Sequence, residues 1–171
     1  AGTWQATQHL IALGHQRIAL LSEDNSRAYV TARRQGWRDA LSEHGLPETW
    51  LRRVSPTRRS GFQAVTELMS LPLPPTAIIT DSDLIGDGAA MSLQLSGHLS
   101  GEDAVSLVVY DGLPQDSIIE QDVAAVLQST RHRVGRQIAD MIRQLVTNVS
   151  PEMLQVLWQP EFHPGKTTLA P

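Results

Sequence analysis

Cysteine is missing from all 171 residues. Its absence excludes disulfides, thiolate nucleophiles and cysteine-ligated zinc, and leaves the redox compartment open. No run of 18 apolar residues occurs either, so no segment reads as a membrane-spanning helix. A basic surplus is also lacking: 14 Lys and Arg stand against 18 Asp and Glu, a formal net charge of −4. A self-standing nucleic-acid binder normally carries the opposite balance, so this chain is not expected to grip DNA itself. Catalytic signatures are wanting too. There is no GxSxG nucleophile elbow. Gly86-Asp87-Gly88 falls within a helical pattern, without GxGxxG or the Walker lysine. His9 and His15 are six residues apart, the wrong spacing for two ligands on one helical face. No catalytic set, metal site or cofactor motif is expected.

The chain opens on Ala1, and residues 1–15 lack the basic start and apolar core of a signal peptide. They read as an amphipathic helix already under way, as if cut from a longer chain.

What is present is an alternation of strand and helix. A helix closes at Gly14, and residues 17–22 read as a buried strand. Residues 28–44 form a long helix, with Val30, Arg33, Trp37, Ala40, Leu41 and His44 on one stripe. A strand over 51–54 and a helix over 60–71 follow, broken by Pro72-Leu73-Pro74-Pro75. Strands are expected at 77–80, 105–110 and 123–127, and helices at 83–96 and 131–149. Residues 153–158 and a stretch near the end read as further strands. The strands are short continuous apolar runs, which indicates a parallel sheet buried on both faces, a doubly wound α/β fold.

In such sheets ligands bind beyond the carboxyl ends of the strands. There the sequence puts Ser22, Glu23, Asp24 and Asn25, then Ser55 and Pro56, Asp81 to Asp83, Asp111, and finally Gln128 and Ser129. Acids and amides in this number suit a neutral, hydroxyl-rich ligand. Each has a plainer alternative. Asp81, Ser82 or Asp83 serves equally as a helix cap, Asp111-Gly112-Leu113-Pro114 is turn chemistry, and Gln128 suits a solvated loop. Arg33 stands out because an arginine on an apolar stripe needs an acid or a ligand as partner. Arg34 reads as a solvated neighbour. So do the Arg58-Arg59 and Arg131-His132-Arg133 clusters.

Several motifs, in order, resemble the lactose-repressor (LacI/GalR) family. Leu13-Gly14-His15-Gln16-Arg17-Ile18-Ala19 resembles its LGHxxIA segment. Arg33-Arg34-Gln35-Gly36-Trp37 resembles its RxxG-aromatic helix. Ser82-Asp83-Leu84-Ile85-Gly86-Asp87-Gly88-Ala89 resembles NDxxAxGA, and Val109-Tyr110-Asp111 ends a similar strand. Lys166-Thr167-Thr168-Leu169-Ala170-Pro171 resembles the end of such a core. The resemblance spans nearly the whole chain.

It implies a type I periplasmic-binding-protein fold, with residues 1–128 as most of the C-terminal subdomain and 129–171 as a crossover segment. The DNA-binding headpiece, the first part of the N-terminal subdomain and a C-terminal tetramerising helix are expected to be absent. By resemblance, Arg33, Asp111 and Gln128 contact the effector, with Ser129 a rival for the last place. Tyr29 joins them on the Arg33 helix. Ser82 stands where the family usually has a ligand-binding asparagine, and Pro56 where its lactose-binding namesake has a tryptophan on the sugar face. An aromatic platform is therefore expected to be missing. The implied function is a cytoplasmic, ligand-controlled repressor core that is not an enzyme. It would bind a saccharide or sugar derivative, form a homodimer, and reach operator DNA only through the absent headpiece. The dimer contact would use residues 84–96 and 111–121. A periplasmic sugar carrier of the same fold, marked by an export signal, is the alternative. An α/β enzyme would need a nucleophile or metal set that the sequence does not offer.

Overall fold

The computed structural model describes residues 2–127 and 161–171. The expected helix at 131–149, the expected strand at 153–158, and the candidates Gln128 and Ser129 lie outside the described residues.

The elements run α1 (Gly2–Ala12), β1 (Ile18–Glu23), α2 (Ala28–Glu43), β2 (Leu51–Val54) and α3 (Arg58–Met69). After these come β3 (Ala77–Thr80), α4 (Asp83–Leu95), β4 (Ser106–Tyr110), β5 (Ala124–Leu127) and β6 (Glu161–His163). The six strands form one sheet in the order β2-β1-β3-β4-β5-β6. All neighbours among β1 to β5 are parallel, while β6 runs antiparallel to β5.

The parallel sheet expected from the sequence holds over β1 to β5, and β6 adds one antiparallel strand at its edge. The three residues of β6 alternate: Phe162 is half-buried while Glu161 and His163 are exposed. That is the pattern of a strand covered on one face only. Phe162 packs into the core cluster on the α1 side, its ring 4.7 Å from that of His9.

Each strand side chain chooses a face by its parity. Ala19, Leu21, Ile78, Leu107 and Val109 meet Ala64, Val65 and Leu68 of α3 and Ile85, Ala89 and Leu93 of α4. Ile18, Leu20, Ile79, Val108 and Val126 meet Ala6 and Leu10 of α1 and Trp37 and Leu41 of α2. Every residue of β1, β3 and β4 is buried, as covering on both faces requires. On one face, α3 and α4 lie unusually close. A methyl group at Gly61 would collide with the Ile85 carbonyl, and one at Gly88 with the Arg58 carbonyl. Only glycine permits that approach, so Gly88 is a helix-packing residue and not part of a phosphate loop.

The chain moves outward from β1 to β2, then returns to place β3 on the other side of β1. The order therefore reverses between β1 and β3, and in sheets of this order ligands usually sit in the crevice at the carboxyl ends beside such a switch point.

Candidate effector cleft

Arg33 occupies this crevice. It lies in the second turn of α2, and its side chain is 11% exposed. Nη1 donates to the Asp81 backbone carbonyl at 2.6 Å. The guanidinium carbon lies 3.7 Å from the Tyr110 ring centroid and 4.9 Å from that of Tyr29, both within cation–π range. Nη2 is 3.9 Å from an Asp111 carboxylate oxygen, an ion pair still open enough to admit other partners.

Asp111 follows β4 directly. Its φ of 70° is the left-handed conformation that aspartate tolerates better than most residues. Its N–H is fixed at 2.7 Å on the Val126 carbonyl. Turn chemistry and an outward-facing carboxylate thus coincide at one residue. Desolvation raises its pKa above the ordinary carboxylate value, even though the side chain is 46% exposed. Arg33 opposes that shift, and Asp83 and Glu23 reinforce it. Asp111 thus sits in the field of Arg33 on one side and of Asp83 and Glu23 on the other.

Glu23 ends β1 and is buried. One carboxylate oxygen, Oε2, accepts from the Tyr29 hydroxyl at 2.9 Å and from Asn25 Nδ2 at 3.1 Å. Asn25 Oδ1 in turn accepts the Arg27 N–H at 3.0 Å, shaping the entry into α2, where no side chain caps the helix. Tyr29 is 42% exposed, so much of its ring remains open to the crevice mouth.

A buried polar layer supports these groups from below. Arg34 is the buried arginine, not the solvated neighbour expected from the sequence. It falls four residues after Val30 and three before Trp37, on the stripe that faces the sheet. Its Nε donates to Ser22 Oγ at 2.9 Å. Its Nη2 donates to the carbonyls of Glu23 at 3.1 Å and Asn25 at 2.6 Å. Ser22 Oγ donates onward to Asp81 Oδ2 at 2.6 Å, while Asp81 Oδ1 accepts the Glu23 N–H at 3.0 Å. Desolvation raises the Asp81 pKa, and the bonds from Ser22 and Glu23 oppose it. One network thus ties the ends of β1 and β3 together and holds the carbonyl that receives Arg33.

The other sequence candidates fall as follows. Ser82 is nearly buried and caps α4, its hydroxyl accepting the Ile85 N–H at 3.4 Å. Pro56 is exposed in the turn after β2. Tyr29, Arg33 and Asp111 are brought together. His44 is exposed at the end of α2 and bonds Gln8, so it does not extend the buried stripe. Arg58 is ion-paired rather than simply solvated. Its Nε is 2.7 Å from the buried Asp87 carboxylate, and Asp116 takes another nitrogen. Asp87 also accepts from Ser117, which ties the 111–121 loop to α3 and α4. Among the described residues, no group of three His, Cys, Asp or Glu side chains could hold a metal.

Three comparisons bear on this geometry. Residues 1–164 match the family model of periplasmic binding proteins and the sugar-binding domain of the LacI family. The chain is 71% identical over its whole length to the HTH-type transcriptional regulator RafR of Escherichia coli, covering 51% of that protein. It is 31% identical, over 99% of its length, to the lactose operon repressor of Escherichia coli K12, covering 46%. The chain thus spans about half the length of these relatives. Both are transcriptional regulators and neither is a periplasmic carrier. Among solved structures, a lac repressor dimer bound to operator and the anti-inducer ONPF superimposes with a TM-score of 0.75 at 28% identity. That match covers 98% of this chain and 58% of the repressor chain.

Proposed function

Because this chain belongs to the family of LacI-type sugar-binding domains and periplasmic binding proteins, we propose that it forms most of the effector-binding core of a sugar-responsive transcriptional regulator. The observation that carries this reading is Arg33 at the carboxyl ends of the strands, bonded to the Asp81 carbonyl, set against Tyr29 and Tyr110, and 3.9 Å from the Asp111 carboxylate. Arg33 offers fixed N–H donors, and Asp111 accepts. A saccharide hydroxyl can accept from Arg33 and another can donate to Asp111. A sugar phosphate would bring a dianion against Glu23, Asp83 and Asp111, and like charges at such range repel.

The effector acts by population shift. It bridges this half of the cleft to the other subdomain, favours one closure, and so alters the spacing of DNA-binding headpieces outside this chain. DNA contact and a cytoplasmic location follow from that role. A C2 homodimer matches the symmetry of operator half-sites. Leu95 on α4 is 80% exposed and Ile118 in the 111–121 loop 73%, large apolar side chains suited to such a contact. Leu95→Asp with Ile118→Asp is expected to convert dimer to monomer in sedimentation.

A thermal-shift screen of the complete protein tests the effector class. Neutral mono-, di- or trisaccharides should raise the melting temperature, since a ligand at a hundred times its Kd adds about 2.7 kcal/mol. Sugar phosphates should not. Stabilisation by phosphates alone would reject the reading.

A further inference from the structure

The turn after β2 carries Pro56 and offers the cleft no aromatic surface, yet a pyranose ring has an apolar face that such surfaces hold well. Two features at the other side of the crevice meet that need. Tyr29, one turn before Arg33 on α2, keeps 42% of its surface exposed beside the guanidinium. A ring on the first turn of a helix would ordinarily rotate freely, but this one is pinned at its hydroxyl by Glu23 Oε2, 2.9 Å away. The Glu23 backbone is itself tied down. It ends a fully buried strand, its N–H is held by Asp81, and its carbonyl by Arg34. Both protein donors to the Glu23 carboxylate, from Tyr29 and Asn25, use Oε2. Among the described residues Oε1 accepts no hydrogen bond, and it is not one of the enclosed side-chain atoms left unpartnered, so it is open to an incoming donor.

We propose that Glu23 and Tyr29 form the specificity element of this cleft. Tyr29 supplies the stacking face that Pro56 cannot, and Glu23 fixes the ring while its second oxygen accepts a hydroxyl of the same sugar. The aromatic platform is moved from the loop after β2 to the start of α2. The proposal rests on the saccharide reading above. It goes beyond it in naming what selects the sugar: a ring with an unhindered apolar face and a hydroxyl at that face's edge.

Titration calorimetry on the complete protein, with the tightest-binding neutral saccharide of the screen as probe, separates the two roles. Tyr29→Ala should weaken binding at least tenfold, in line with the worth of an aromatic contact plus its buried area. Tyr29→Phe, which keeps the ring and loses its tether, should fall between the parent and Tyr29→Ala. Tyr29→Trp should bind within a fewfold of the parent, and its added fluorescence should change on saturation. Glu23→Gln should lose about tenfold or more, as expected for a hydrogen bond to a charged acceptor. The proposal is overturned if Tyr29→Ala or Glu23→Gln binds like the parent. It is overturned equally if Tyr29→Phe is as weak as Tyr29→Ala, since the hydroxyl and not the ring would then matter. A parent protein that binds no saccharide overturns the underlying reading instead, a separate result.

Discussion

At the amino end of the sheet, polar side chains face one another. His15 is buried, with Nδ1 2.8 Å from Thr76 Oγ1 and Nε2 2.6 Å from the Leu169 carbonyl. Ser106 also donates to the Leu169 carbonyl, and Thr167 bridges the starts of β4 and β5 through Leu107 and Ala124. Those groups have found partners within the fold, so the tail is clamped. At the carboxyl end, only the lower layer of Ser22, Arg34 and Asp81 closes on itself in this way. Above it, Arg33 meets Asp111 at 3.9 Å only, Glu23 keeps one open oxygen, and Tyr29 stays half in solvent. The contrast teaches how to tell a structural polar cluster from a binding one. Both are rich in buried polar groups, but only the second retains directed bonding capacity that the protein does not use.

Substitutions can break that contrast. The largest effect is expected in the closed layer of the cleft floor. Arg34→Ala leaves the Ser22 hydroxyl and two carbonyls short of a donor in a buried setting and removes the cation beside Asp81; it should cost about 3–5 kcal/mol, read by chemical denaturation. A loss below about 1 kcal/mol would mean the network behaves like a surface ion pair. At the amino end, His15→Ala should cost about 1–3 kcal/mol through unsatisfied partners and leave saccharide affinity unchanged. A change in affinity would join the two ends that are separated here.

Asp111→Asn should do the reverse. Burial already disfavours the charge on Asp111, so the amide should melt no earlier than the parent. Its affinity for saccharide should still fall about tenfold. Smallest is a pH effect. Burial lowers the His15 pKa, its bond to the Leu169 carbonyl opposes this, and His9 adds to the lowering. A histidine held below its unfolded value of about 6.5 contributes stability fully above that pH and loses it as pH falls toward the folded value. The His15 contribution should therefore be lost from pH 7 to pH 5, so over that range the parent should lose melting temperature relative to His15→Asn. His9 is lowered by burial too and contributes in the same sense.

The parallel core was legible in the sequence because β1, β3 and β4 are built on short apolar runs, Ile18 to Leu21, Ala77 to Ile79 and Leu107 to Val109, with polar residues only at their ends, which leaves little choice but double burial. β6 was harder to place. Three residues carry too little pattern to fix a direction, and the alternation around Phe162 is informative only once β5 is known to lie beside it. Arg33 and Arg34 both satisfy helical spacing from Val30 and Trp37, so periodicity could not say which is buried. The signal lay elsewhere, in the pairing of Ser22 and Asp81 at adjacent strand ends, which together need a cation beneath them. Family resemblance drew attention to Pro56 as a missing platform. It could not reveal that Tyr29 is tethered by Glu23, because that bond depends on the loop between them folding back through Asn25.

The account turns on Arg33 being a binding group rather than a structural one. Calorimetric titration of the stabilising saccharide into the parent and Arg33→Ala proteins, with melting curves of both, tests this most directly. The expected result is loss of measurable binding with a nearly unchanged melting temperature. Parent-like affinity in Arg33→Ala would contradict the assignment of the cleft.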